Sequence, residues 1–183
     1  MDEIQIKEQI KSENILKGGA SWFIWIALLS IINSILILFF EGKFGFIIGL
    51  GITQLLDNVL LALYNNNLDP LMKLIAFTAD LIIFLFFVLI AYKAGKKSKI
   101  WFMIGIIIYS IDSLLFLFFK DWLSLAFHFL ALFAIINGYQ QIQKLEKFKM
   151  EINTNKVIDA NNETISTNHS DPDRLQEKIE TKE

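Results

Sequence analysis

"GLGITQLLDNVLLALYNNN", residues 49–67, is the stretch that decides the fold of this chain. It is apolar enough and long enough to belong to a membrane span, yet it contains Gln54, Asp57 and Asn58. Whether it crosses the bilayer sets the number of crossings. The number of crossings in turn decides which polar residues of the chain can meet.

The composition is that of an integral membrane protein. Of the 183 residues, 54% are hydrophobic, and they gather in runs near the ~20 residues that a helix needs to cross a hydrocarbon core of ~30 Å. These runs cover residues 20–40, 44–64, 71–92, 100–119 and 122–139. The chain has no cysteine, which excludes disulfides, thiolate metal sites and a cysteine nucleophile. No basic patch of the kind that binds nucleic acid is visible, so no nucleic-acid partner is expected.

The lysines favour a topology in which residues 44–64 do not cross, because lysines near membrane helices stay preferentially on the cytoplasmic side. With four crossings and both termini in the cytoplasm, ten flanking lysines lie inside and three outside. The ten are Lys7, Lys11, Lys17, Lys93, Lys96, Lys97, Lys99, Lys144, Lys147 and Lys149, and the three are Lys43, Lys73 and Lys120. With five crossings the better orientation gives eight inside and five outside.

The energetics of residues 44–64 point the same way. An Asp at mid-membrane costs roughly 2.5 to 3.5 kcal/mol on the insertion scale. A polar face of Thr53, Gln54, Asp57 and Asn58 lies opposite an apolar face of Ile52, Leu55, Leu56, Val59, Leu60 and Leu63. This pattern predicts an amphipathic helix at the outer interface, or a re-entrant one that dips in and returns. The alternative is a true span in a five-helix bundle, with Gly45 and Gly49 forming a small-residue packing seam.

Four crossings place the polar residues of the spanning helices at a similar depth. Asn33, Asp80, Asp112 and His128 each lie six to nine residues from the outer end of a helix, on the order of 10 Å below the surface. Asp57 is expected just above them. The sequence therefore predicts an intramembrane polar cluster of Asn33, Asp57, Asp80, Asp112 and His128.

Three kinds of chemistry fit such a cluster. The first is a hydrogen-bonded layer that holds the helices in register, with one or both Asp protonated because burial disfavours the charged form. The second is cation binding or proton relay by Asp80 and Asp112 with the imidazole. The third is an intramembrane hydrolase using Ser124 with His128, or Asp112 with Asp80, but no motif supports a nucleophile. One His and two Asp on three helices have no diagnostic metal spacing, so no metal and no cofactor are predicted.

Outside the membrane domain, residues 20–140, the chain is polar. Residues 1–19 are expected to form a cytoplasmic N-terminal segment, and residues 141–150 a basic amphipathic helix that leaves the bilayer along a lipid surface. Residues 151–183 are acidic and almost free of apolar side chains, which predicts a disordered cytoplasmic tail. The expected location is the cell membrane.

The segments "GGASWFIWIALLSIINS", "GLGITQLLD", "GIIIYSIDSLLFL" and "DWLSLAFHFLAL" resemble an uncharacterised family of small polytopic bacterial inner-membrane proteins. The resemblance covers residues 18–139. It implies a bacterial inner membrane, and it assigns no catalytic or binding residue.

The sequence as a whole predicts an all-α polytopic transmembrane bundle of four spanning helices plus one amphipathic or re-entrant helix. The favoured function is a non-catalytic membrane component that works by helix packing in the lipid bilayer, or by association with itself or another membrane protein. The alternative is a small proton- or cation-linked transporter or channel subunit that uses Asp80 and Asp112.

Overall fold

A computed structural model describes residues 3–40, 49–64 and 69–169, with side chains described up to residue 162. Within these ranges all regular structure is helical: α1 (Glu3–Phe39), α2 (Gly51–Leu63), α3 (Pro70–Gly95), α4 (Lys99–Phe118) and α5 (Trp122–His169). All but α2 are long and apolar enough to cross a membrane. The predicted fold class, an all-α bundle with four spanning helices and one shorter helix, is confirmed.

The four long helices form the bundle. α1 packs against α3 and α5, and α4 packs against the same two helices. Each helix is antiparallel to the next long helix along the chain, so α1 and α4 end, and α3 and α5 begin, at one end of the bundle, which we call the α2 end. Glu3 and the last residues of α5 lie at the opposite end. Large apolar side chains cover the outside of the bundle, as lipid contact requires.

Small residues allow close helix contact inside the bundle. A Cβ atom at Gly19 of α1 would lie 2.7 Å from Gly138 Cα of α5, so these two backbones touch. At Gly105 of α4 a Cβ atom would overlap the Phe23 ring of α1. Gly105 therefore allows α4 to approach α1 closely.

α2 runs from inside the bundle toward the α2 end. Its N-terminus lies against Ser30 of α1, where the Leu50 amide donates a hydrogen bond to Ser30 Oγ. Ser30 precedes Phe39, the end of α1, by nine residues, or about 13 Å. Near the other end of α2, Leu61 packs in a cluster with Ile37. The 13 residues of α2 span about 20 Å, too short to cross a core of ~30 Å.

The described part of this segment, α2, is thus too short to span, and residues 44–48 lie outside the described residues. Most side chains of α2 face as the sequence pattern predicted, but Asn58 is exposed and Leu60 packs against a core cluster. Thr53 and Asp57 are buried against the bundle. The exposed apolar side chains are Ile52, Leu56, Val59 and Leu63.

The polar ends of the chain differ from the sequence expectation. Residues 3–19 continue α1 without a break, and residues 140–169 continue α5. Residues 141–150 are helical as predicted, but Ile142 and Leu145 pack against Leu16 of α1 instead of a lipid surface. This pairing with α1 could not be read from the amphipathic pattern, because either contact would bury the same face.

In the structure residues 151–169 are helical, while residues 170–183 lie outside the described residues, so a disordered tail stays a prediction. Side chains 151–162 are almost all exposed, so burial does not explain this helix. Extending an existing helix avoids the costly nucleation step, and the packed part of α5 supplies the nucleus.

Two ion pairs connect helices at the same end of the bundle: Lys97 Nζ lies 2.6 Å from Glu13 Oε1, and Lys99 Nζ lies 2.5 Å from Glu146 Oε2.

Candidate functional site

The N-terminus of α2 is held by side chains of two other helices. The Gly51 amide donates to Asp112 Oδ2 at 2.8 Å, and the Ile52 amide donates to Asp112 Oδ1 at 2.9 Å. The Leu50 amide donates to Ser30 Oγ at 2.6 Å. The first amides of a helix have no partner within the helix, and an apolar medium offers no water in their place. Asp112 of α4 and Ser30 of α1 supply the missing acceptors, so Asp112 serves as the N-terminal cap of another helix.

His128 of α5 completes this cap. Its Nε2 lies 3.1 Å from Asp112 Oδ2, and its Nδ1 lies 2.9 Å from the Ser124 carbonyl oxygen. A carbonyl oxygen only accepts, so Nδ1 carries a proton and donates it to the Ser124 carbonyl group. The imidazole is fully buried, with its centroid 4.5 Å from that of the stacked Tyr109 ring and 4.5 Å from that of Phe116. This aromatic enclosure fixes the ring on Asp112.

Two glycines let the chain approach this cap closely. A Cβ atom at Gly51 would lie 2.7 Å from the Phe116 ring, and one at Gly49 would lie 2.8 Å from Asn33 Nδ2. Gly49 also has a φ of +156°, which side chains rarely permit. Asn33 is fully buried beside this turn. Asn33 therefore belongs to the entry of α2 into the bundle.

A second polar cluster lies further along α2. Asp57 of α2, Asp80 of α3 and Ser34 of α1 are each at most 1% exposed. The two carboxyl groups interact electrostatically with each other and with Ser34. None of the four carboxyl oxygens, nor Ser34 Oγ, has a partner in full hydrogen-bond geometry. The cluster places two acids beside one hydroxyl, which can donate to only one oxygen at a time, and we call it the acidic site.

The five residues of the predicted cluster are all buried, but they form two groups instead of one. The structure brings Asp112 to His128, with Asn33 nearby, and brings Asp57 to Asp80. The two groups contact α2 at Ile52 and Asp57, five residues or about 7.5 Å apart along the helix. The structure therefore places Asp80 beside Asp57, whereas Asp112 contacts α2 amides and His128. Equal depth does not fix the direction in which a side chain points around the bundle axis, and Asp80 points to α2.

Ser124 is not arranged as a nucleophile activated by His128. Its hydroxyl donates to Asp121 Oδ2 at 2.6 Å, while the imidazole contacts the Ser124 carbonyl oxygen. The Ser124 amide donates to Asp121 Oδ1 at 3.1 Å, so Asp121 caps the start of α5. The Ser124 hydroxyl bond lowers the pKa of the Asp121 carboxyl group. The hydroxyl thus belongs to a helix cap and lies outside the imidazole's hydrogen bonds.

Sequence reasoning missed the amides of α2 and the partnership of Ser34 with the two acids. The role of the α2 amides could have been inferred from the residue that precedes the helix. The N-cap residue of α2 is Leu50, which has no capping side chain, and an uncapped helix start within an apolar region needs an acceptor from elsewhere. Ser34 was visible only as part of the polar face of α1, which it shares with Ser30 and Asn33.

Among the described residues, no three His, Asp or Glu side chains are grouped so that they could hold a metal ion. No family model, curated protein or solved structure matches the chain. The fold itself defines the class: a helical membrane protein with four spanning helices and a re-entrant helix that is capped by buried side chains.

Proposed function

We propose that this protein is a proton- or cation-linked membrane transport protein or channel subunit, and that Asp57 and Asp80 are its binding groups. The observation that carries the proposal is the acidic site, where four carboxyl oxygens and Ser34 Oγ are buried without a partner in full hydrogen-bond geometry. Ionisable groups within a bilayer are costly, and they commonly mark ion pathways and proton relays. A site of this kind gains its missing interactions when a proton or cation binds.

The contrast with Asp112 separates this proposal from a purely structural layer. Both oxygens of Asp112 are satisfied by backbone amides, and one is also bonded to His128. This is what a buried group with a packing role requires. The carboxyl groups of Asp57 and Asp80 have no such partners. A packing role therefore explains Asp112 but does not explain Asp57 and Asp80. The proposal accordingly replaces Asp112 with Asp57 as the partner of Asp80.

The ligand class follows from the donor atoms. Carboxylate and hydroxyl oxygens suit protons and hard cations, and the acidic site has no nitrogen or sulfur that would select a softer metal. The three groups come from α1, α2 and α3, and α2 is the only one of these helices that does not span. Binding at the acidic site therefore alters the contacts of a short helix that can move without shifting a spanning one.

Flux in reconstituted vesicles tests this function. Purified protein in liposomes is given a pH gradient or a sodium gradient, and internal pH and sodium are followed with fluorescent dyes. We expect Asp57→Asn and Asp80→Asn each to lower the flux at least tenfold. The matched control is Asp69→Asn, because Asp69 caps α3 at the same end of the bundle and is exposed.

Two results would overturn the proposal. One is an unmodified protein that moves neither protons nor sodium, and the other is a double Asp57→Asn, Asp80→Asn variant with unchanged flux. Thermal unfolding of the variants tests whether a loss of flux comes from a loss of the fold. Both single variants should be at least as stable as the unmodified protein, because an amide replaces a desolvated carboxyl group beside another acid.

The proposed location is the cell membrane, with both termini in the cytoplasm. Single cysteines test it, since the chain has none of its own. Cysteines at Glu8, Ser98 and Asn161 should react from the cytoplasmic side with a reagent that does not cross membranes. A cysteine at Lys120 should react from the other side, and labelling of Glu8 and Asn161 from opposite sides would contradict an even number of crossings.

A further inference from the structure

A cavity of about 250 Å³ lies between α2 and the end of α4. Its walls include Gln54, Leu55 and Asn58 from α2, Phe116 and Phe119 from α4, and Asp121 from the turn that follows. Asp57 does not line this cavity, since its carboxyl group lies beside Asp80 of α3. The cavity is thus separate from the acidic site, although α2 contributes to both, and we call it the α2–α4 cavity.

One wall of the α2–α4 cavity has a hydrogen-bond donor without a partner. Gln54 Nε2 is buried from solvent and forms no hydrogen bond. The neighbouring Asn58 uses its amide nitrogen to donate to the Gln54 backbone carbonyl at 2.7 Å. A buried donor left unsatisfied is costly, and a ligand with an acceptor oxygen would satisfy it.

A second wall supplies negative charge. The Ser124 hydroxyl and amide stabilise the Asp121 carboxylate, and its pKa is held below the usual value. Each oxygen keeps room for a further donor, because a carboxylate has about four acceptor positions and Ser124 uses two of them. Lys120, the adjacent residue, does not line the cavity. The charged wall therefore favours a cation.

The remaining walls are apolar and aromatic. Phe116 and Phe119 line the cavity, and phenylalanine rings can bind cations through their π faces as well as pack against apolar groups. The volume falls just below the range of about 300–1,000 Å³ typical of drug-sized ligand sites. The occupant should therefore be small.

We propose that the α2–α4 cavity binds a small organic cation. Its ammonium group contacts Asp121, an acceptor oxygen receives the Gln54 amide, and its apolar body packs between Leu55 and the two phenylalanines. This site does not rest on the proposed transport function, since it uses neither Asp57 nor Asp80. Binding is measured without flux, so the two proposals fail separately.

Equilibrium binding to the full chain in phosphatidylcholine nanodiscs tests the inference. The probe is benzyloxyethylamine, which combines an ammonium group, an ether oxygen and one aromatic ring. Benzyl ethyl ether lacks the charge, and phenylbutylamine replaces the ether oxygen with a methylene group. Nanodiscs without protein correct for partition into lipid. We expect saturable binding of benzyloxyethylamine and at least fivefold weaker binding of the uncharged ether.

Three variants locate the binding site. Asp121→Asn keeps a residue that can cap α5 but removes the charge, and should weaken binding about fivefold, as expected for a partly exposed ion pair. Gln54→Leu should weaken binding of benzyloxyethylamine and leave phenylbutylamine unaffected. Leu115→Trp, at a residue that also lines the cavity, should block both amines. Asp69→Asn, which removes an exposed cap at the same end of the bundle, should change nothing.

The inference is overturned if the charged and uncharged probes bind equally. It is also overturned if the amines bind Asp121→Asn and Leu115→Trp proteins as they bind the unmodified chain. Circular dichroism of each variant checks that its helix content is intact. A folded Leu115→Trp protein with unchanged binding is decisive against the site even if Asp121→Asn unfolds.

Discussion

Replacing Asp112 with alanine should release α2 from the bundle. The substitution removes the acceptors of the Gly51 and Ile52 amides and the partner of His128 Nε2. A buried donor or acceptor without a partner costs about 1–3 kcal/mol, so the three sum to about 3–9 kcal/mol. Because α2 is short, the protein can avoid this cost by undocking α2 while the four long helices stay together. We therefore expect a local loss of at least ~3 kcal/mol, or about a hundredfold in opening equilibrium.

Hydrogen exchange measured by mass spectrometry in detergent micelles reports this opening directly. Amides of α2 should exchange about a hundredfold faster in Asp112→Ala, while those of α4 should change little. Asp112→Asn should give an intermediate effect, because an amide has one acceptor oxygen for two backbone donors. Ser113→Ala is the control, since that buried hydroxyl bonds only within its own helix, to the Ser110 carbonyl. Exchange of α2 in Asp112→Ala within about threefold of the unmodified protein would refute the capping role.

Two further predictions concern packing and acid stability. Gly19→Ala should destabilise the protein by about 1–3 kcal/mol, because the new Cβ atom would meet the Gly138 backbone. A Cβ atom at Gly18 would meet nothing within 4 Å, so Gly18→Ala should be neutral or stabilising by up to ~1 kcal/mol. Thermal unfolding measures both variants, and equal effects would contradict the close contact. Ser124→Ala should raise the pKa of Asp121, measured by carbon NMR of the carboxyl group. A carboxyl group with a lowered pKa in the folded state stabilises the fold at pH values above its unfolded-state pKa, and this contribution is lost as pH falls through its folded-state pKa. In Ser124→Ala, Asp121 should therefore lose its small contribution to stability at a higher pH. An unchanged titration of Asp121 would contradict the role of the hydroxyl group.

The crossing number was predictable from sequence because several independent signals agreed. The positions of the lysines, the cost of a mid-membrane Asp57 and the amphipathic pattern all disfavoured a fifth span. Burial of each polar residue was also predictable, since Asp80 or His128 would be too costly on a lipid-facing surface. These inferences use only local composition and bilayer physics, which a single sequence contains.

The partners of the polar residues were not predictable in the same way. Helical periodicity gives the face of each helix, and residue counting gives the depth, but neither tells which helix a face meets. Asp112 and Asp80 have similar depths, yet one binds the backbone of α2 and the other lies beside Asp57. The insertion of the α2 N-terminus beside Ser30 decides this difference. That insertion depends on backbone amides, which every sequence has and no side-chain pattern reveals.

The cap of α2 also has a consequence for biosynthesis. The amide of Gly51 finds its acceptor 61 residues later in the chain, and that acceptor is completed by His128 after a further 16. A ribosome therefore releases the start of α2 before Asp112 and His128 exist, when Ser30 is the only one of its side-chain partners already made. Until the last hairpin has inserted, water must accept the hydrogen bonds of the first α2 amides. The nascent helix therefore stays at the membrane surface during this time. Docking of α2 would then be the closing step of assembly, and the acidic site would form only in a chain whose translation has passed α5.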